Sequence, residues 1–130
     1  MQSLLSLVLV FVGGGLGSMA RHLAGRASLA LFGPSFPYGT LGINVLGSFA
    51  MGLVAGWFAL RGHADQSVRL FLTTGIIGGF TTYSTFSLET ALLWERGDVL
   101  SVMFYVGGTL LLGFVGIFGG LALVRAVLGG

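Results

Sequence analysis

Five hydroxyl-bearing side chains in succession, Thr81, Thr82, Tyr83, Ser84 and Thr85, follow the pair Gly78-Gly79 within the run GIIGGFTTYSTF at residues 75–86. Adjacent glycines weaken a continuous helix, and non-helical backbone at membrane depth survives only where protein buries it or it lines a wet cavity. Broken helices build ion sites at the membrane midplane, and carbonyls exposed by such a break suit a small hard cation such as sodium. The same residues also fit an unbroken helix whose hydroxyls bond back to the preceding turn while the glycines pack.

Asn44 stands in a second run, GTLGINVLGS at residues 39–48. A polar group in the bilayer core is costly unless paired, so Asn44 either makes an interhelical hydrogen bond or donates its NH2 to an anion that has further donors nearby. Tyr105 and Thr109 lie one helical turn apart on one face and, with the hydroxyls of residues 81–85, form a candidate polar track. Tyr83 and Phe86 are three apart and share similar sides of a helix. Their ring edges are positive and suit an anion, although such pairs also serve packing alone. Glu89 is the one carboxylate inside an apolar stretch and either lines a vestibule or snorkels toward water. His22 and His63 are expected in separate loops, which disfavours a histidine metal site. Paired carboxylates, a nucleophile triad and a phosphate-cradling loop are missing, so the sequence reads as a non-enzyme.

The elements that must position these residues follow from composition. The 130 residues are 55% hydrophobic and 8% charged, whereas a soluble domain is about a quarter charged. An integral membrane protein is the consequence. Cysteine is absent, which excludes disulfides and thiolate chemistry. The net charge of +2 comes from too few side chains to build the basic face that nucleic acid requires. One crossing takes about 20 apolar residues, so the chain is expected to form a single all-α membrane domain over 1–130, with spans at about 3–20, 39–60, 70–94 and 99–124 and a break in the third. The segment ahead of Arg21 carries no Lys or Arg before its apolar run and reads as a permanent span rather than a signal peptide. Arg21, His22 and Arg26 mark its polar end. Gly33-Pro34 and Phe36-Pro37 predict a turn and re-entry, a loop carries Arg61, His63, Asp65 and Arg69, and Arg96-Gly97-Asp98 makes the last turn.

With four spans, Arg61, Arg69 and Arg125 fall on one membrane face and Arg21, Arg26 and Arg96 on the other. Orientation normally follows a Lys/Arg excess. The tie predicts insertion both ways and an antiparallel homodimer, unless one loop arginine dominates. The pairs Gly13/Gly17, Gly52/Gly56 and Gly116/Gly120 are spaced four apart, as in helix surfaces that approach closely in lipid.

Gly17-x-x-x-Arg21, GTLGINVLGS and GGFTTYSTF at residues 78–86 together resemble the Fluc (CrcB-type) fluoride channels of microorganisms over nearly the whole chain. The resemblance implies four helices per subunit, an antiparallel dual-topology homodimer, two pores for passive export of cytoplasmic fluoride, and a structural sodium ion at the centre. It implies the backbone carbonyls of Gly78 and Thr81 as sodium ligands. Asn44, Tyr83, Phe86, Ser84, Thr85, Tyr105 and Thr109 line the fluoride pathway on this reading, and Arg21, Thr40 and Glu89 its vestibule. Two positions depart from the pattern: Tyr83 stands where the family usually has Phe, and Gly113 where a third hydroxyl is expected. The family and the small size imply a multi-pass protein of the bacterial inner membrane.

Two other readings compete. A proton-coupled small multidrug exporter is also tiny and four-spanning, but depends on a carboxylate in the first span, and residues 1–20 contain none. A non-transporting membrane scaffold accounts for the glycines but leaves the midplane hydroxyls unexplained.

Overall fold

The computed structural model describes residues 2–62 and 65–129; His63 lies outside them. The described residues fold into helices, and three of these are long and apolar enough to cross a membrane.

α1 spans Gln2–Phe32. It does not end near Ala20: nothing in the sequence breaks it before Gly33, whose φ of 77° and N–H bond to the Leu29 carbonyl (2.9 Å) terminate it ahead of Pro34. His22 therefore sits on a helix and not in a loop. At 1.5 Å per residue α1 is roughly 46 Å long, which exceeds the hydrocarbon thickness, so its polar second half extends past the span or tilts with it. α2, Tyr38–Arg61, ends the same way at Gly62, and Arg61 belongs to its last turn, its guanidinium 5.6 Å from the Trp57 ring centre.

The region expected as one helix from Leu70 to Trp94 is assembled in pieces. α3, Gln66–Leu70, is capped by Asp65, whose carboxylate accepts from the Ser67 N–H, and it carries Arg69. A π-helical segment, Phe71–Ile77, follows, then one turn of α4, Gly78–Phe80. Thr81 and Thr82 are extended, with ψ of 158° and 123°, before α5, Tyr83–Glu95, begins. No piece alone has the length of a crossing, which is why three long apolar helices appear where four spans were expected. Gly97, at φ 82°, turns the chain into α6, Val99–Leu128.

α1 packs on the π-helical segment and α4, while α2 packs along α6. Glycine sets both distances. A Cβ on Gly17 would strike the Ile76 carbonyl and come within 2.8 Å of the Phe80 nitrogen, and one on Gly13 would lie 2.8 Å from the Phe71 carbonyl. On the other seam a Cβ on Gly52 would strike the Ile117 carbonyl, and one on Gly120 the Phe49 carbonyl. The pairs at four-residue spacing are thus backbone-to-backbone contact surfaces. Fully buried bulk is scarce, and Phe11, Phe104, Phe118 and Val127 are all exposed. The accessible surface of 8330 Å² compares with roughly 6500 Å² for a soluble monomer of this mass, so the chain presents a broad apolar exterior to lipid or a partner.

Gly17→Val is expected to lower the melting temperature of the detergent-solubilised protein by about 5 °C or more through overpacking. Gly15→Ala meets open space and should leave it unchanged. At the last turn, hydrogen bonds from Ser101, aided by Arg96, hold the Asp98 carboxyl below its ordinary value of 3.8. A depressed folded value stabilises the protein above pH 3.8, and that stabilisation is lost as pH falls through the folded value. Ser101→Ala should therefore melt earlier than the parent at pH 7, with the gap closing in strong acid.

Candidate functional site

The polar residues converge where the chain leaves helical geometry. Asn44, on α2, grips Thr82 at both ends: its Nδ2 donates to the Thr82 carbonyl (2.9 Å) and its Oδ1 accepts from the Thr82 N–H (2.8 Å). In a continuous helix that N–H would serve the Gly78 carbonyl. One turn on, the Thr85 N–H, which would serve the Thr81 carbonyl, donates to the Thr82 hydroxyl (3.3 Å) and caps α5. The Gly78 and Thr81 carbonyls thereby lose their helical donors. These are hard oxygen ligands of the kind a small cation takes, and no cluster of three or more His, Cys, Asp or Glu occurs among the described residues. The neighbouring Gly79 carbonyl is served by Arg21 Nε (3.2 Å) and Ser18 Oγ (3.4 Å), both from α1. Arg21 thus caps the end of α4 and lines neither the groove beside Asn44 nor the cavity at Glu89.

A groove of about 410 Å³ runs beside the interruption, lined among others by Asn44, Ser48, Thr82, Tyr83, Phe86 and Thr109. Tyr83 is 80% exposed at its edge. Its ring centre lies 6.1 Å from that of Phe86, which lies 5.1 Å from that of Tyr105. Tyr105 is fully buried, and its hydroxyl donates to Glu89 Oε1 (2.9 Å). Glu89 and the buried Thr40 line a second cavity of about 370 Å³, a vestibule under the α1–α2 turn. Groove and vestibule are thus joined through Phe86, Tyr105 and Glu89.

The helical threonine hydroxyls differ in their partners. Those of Thr73, Thr81 and Thr90 turn back to the carbonyl four residues earlier, at 2.8, 3.1 and 2.8 Å. The Thr109 hydroxyl does not: it is buried and has no hydrogen-bond partner, on a residue that lines the groove. Leaving such a group unpaired costs about 1–3 kcal/mol. Ser84 and Thr85 occupy the first turn of α5 and line neither cavity. Gly113 lines the groove without a side chain to offer it.

Sequence reasoning missed three participants. Phe36 meets Tyr105 edge-on at 5.7 Å and 84°. Arg96 binds the Ser35 carbonyl at 2.9 Å, and Ser18 shares the Gly79 carbonyl with Arg21. Phe36 carried a signal in its neighbours Pro34 and Pro37, which force a tight turn beside a helix start. For Ser18 and Arg96 the partner is a backbone carbonyl 61 residues away, which leaves no mark on the sequence.

Asn44→Leu removes both bonds to Thr82 and leaves two backbone groups unpaired, a loss of about 2–4 kcal/mol. Hydrogen exchange should show the Thr82 amide losing protection while that of Glu89, in the middle of α5, keeps it.

A family model described as CrcB-like protein, Camphor Resistance (CrcB), matches residues 8–121. A protein of Rhodopseudomonas palustris strain BisB5 named fluoride-specific ion channel FluC is 55% identical over 120 residues, covering 92% of this chain and 97% of its own length. Proteins of the same name from Methylobacterium nodulans and Agrobacterium fabrum are 53% and 45% identical over 122 residues, 94% of this chain and 98% of each relative. The matched span runs from the first turns of α1 into the last turns of α6 and takes in every residue of the groove and vestibule, and the chain belongs to the CrcB family.

Proposed function

We propose that this protein is a passive fluoride-selective channel through which cytoplasmic fluoride leaves the cell. The observation that carries the reading is the buried, unpartnered hydroxyl of Thr109, a residue that lines the same groove as Asn44, Tyr83 and Phe86. Fluoride is small and strongly hydrated, so a pore must replace its water with donors. A buried O–H free to donate, the remaining N–H of Asn44 and the ring edges of Tyr83 and Phe86 are such a set. An inside-negative potential drives an anion outward without coupled energy. Relatives named as fluoride channels support the assignment.

On this reading α3, the π-helical segment, α4 and α5 together make the third of four crossings, broken at Thr81–Thr82, and the domain spans the bacterial cell membrane. The assembly is an antiparallel homodimer. Tyr83 and Gly78 are exposed on a single chain, and two carbonyls from one chain only partly surround a hard cation, which takes several oxygen ligands. A second copy doubles the carbonyls and closes the groove, and two-fold symmetry gives two pores. The Gly78 and Thr81 carbonyls of both copies would hold a sodium ion, which when bound supplies positive potential near the pathway.

Thr109→Val keeps shape and removes only the hydroxyl. In proteoliposomes loaded with fluoride and chloride, the parent should release fluoride and retain chloride, and Thr109→Val should slow fluoride release about tenfold or more, as expected for losing a hydrogen bond to an ion. Its melting temperature should hold or rise, because an unpaired buried group has gone. Equal fluoride release from both proteins would remove the support that Thr109 gives, and chloride release from the parent would sink selectivity.

A further inference from the structure

The α1–α2 turn and the α5–α6 turn meet at the mouth of the vestibule, and Arg96 joins them. Its Nη2 donates to the Ser35 carbonyl (2.9 Å) and pairs with Asp98 Oδ2 (3.3 Å). The next residue, Phe36, sets its ring edge-on to Tyr105, the residue that holds Glu89. The two turns and the helices next to them furnish the vestibule wall: Pro34 and Phe36 with Thr40 of α2 from one side, Arg96 with Glu89 and Leu93 of α5 from the other. Within the α1–α2 turn the Tyr38 N–H donates to the Phe36 carbonyl (2.8 Å) and the Phe36 ring lies against Tyr38 (4.9 Å), but no such bond takes up the Ser35 carbonyl. Gly33 adopts φ 77°, and Pro34 and Pro37 have no N–H to donate. The Ser35 carbonyl is where the opposite turn takes hold.

We propose that Arg96 is a positioning residue: it straps the α1–α2 turn across the vestibule and, through Phe36, sets the width of the opening that leads to Glu89 and Tyr105. The channel reading gives the vestibule its meaning, but the strap itself can be measured without transport. The chain has no cysteine, so Thr40→Cys places a single thiol in the vestibule wall, at a position 7% exposed. Its rate of modification by a small neutral methanethiosulfonate reports the opening and is indifferent to the charge on Arg96.

In the Thr40→Cys background, Arg96→Ala is expected to raise that rate about tenfold, the shift in an opening equilibrium that follows loss of one charge-assisted hydrogen bond. Phe36→Ala, which removes the wall that the strap holds, should raise it as well. The Arg96 side chain is half exposed, so Arg96→Ala should melt close to the parent, separating a widened mouth from general loosening. An unchanged neutral-reagent rate in Arg96→Ala overturns the strap, whether or not Phe36→Ala raises it. So does a change confined to a charged reagent, since Arg96 would then act only through its field. If the mouth widens as expected in a parent that conducts no fluoride, the strap stands and the channel reading falls.

Discussion

The pair of hydrogen bonds between Asn44 and Thr82 is the constraint on which the rest of the site depends. A backbone that leaves helical geometry inside a membrane has an N–H and a carbonyl to satisfy, and water is not there to do it. One side-chain amide on the neighbouring helix answers both at 2.9 and 2.8 Å. Because the amide is planar and uses both its ends, it fixes the orientation of the Thr82 peptide as well as its position. The Thr82 hydroxyl then starts α5 by accepting from Thr85, so the direction in which Tyr83 and Phe86 leave the interruption follows from the same clamp. The freed Gly78 and Thr81 carbonyls are its other product.

Such a clamp works only if α2 and the interrupted segment are held in register, and the glycine seams do this at backbone range. Gly13 and Gly17 bring α1 against the π-helical segment, and Gly52, Gly116 and Gly120 bring α2 against α6. At such approach the contacts are between main chains, which have no rotamers to repack. Gly47 completes the arrangement at the site itself, since a Cβ there would strike the Thr81 methyl. The extra residue carried by the π-helical turns at Phe71–Ile77 lies directly before the interruption, as such turns often do at functional sites.

Much of this was legible in the sequence, and the reasons for the remainder are physical. Composition and apolar run length marked an all-helical membrane protein, and glycines four apart marked the surfaces that touch. Asn44 was conspicuous because an amide in an apolar run must find a partner. That its partner is a peptide group could not be read, since any residue type presents the same N–H and C=O. The same limit hid the bonds of Arg96 to Ser35 and of Arg21 to Gly79, both side chain to backbone across about 60 residues. Helix α1 outran its expected end because arginines mark the limit of the apolar environment and not of helical geometry, which continues until a residue such as Gly33 stops it. The π-helical turns left no signal because their dihedral angles are those ordinary residues adopt.

The threonines of the membrane helices differ in where their hydroxyls find a partner. Thr73, Thr81 and Thr90 each settle their proton on a carbonyl one turn back, the cheapest solution available to a helical threonine in lipid. That solution was equally open to Thr109, which lies deep within α6 with a carbonyl four residues before it, yet its buried hydroxyl makes no hydrogen bond. An unpaired donor loses nothing when a strongly hydrated anion reaches it, whereas a hydroxyl already bonded must first break a bond before it can replace a water. Valine would fill the same volume without the unpaired atom, so the stability of α6 does not account for the threonine at this position.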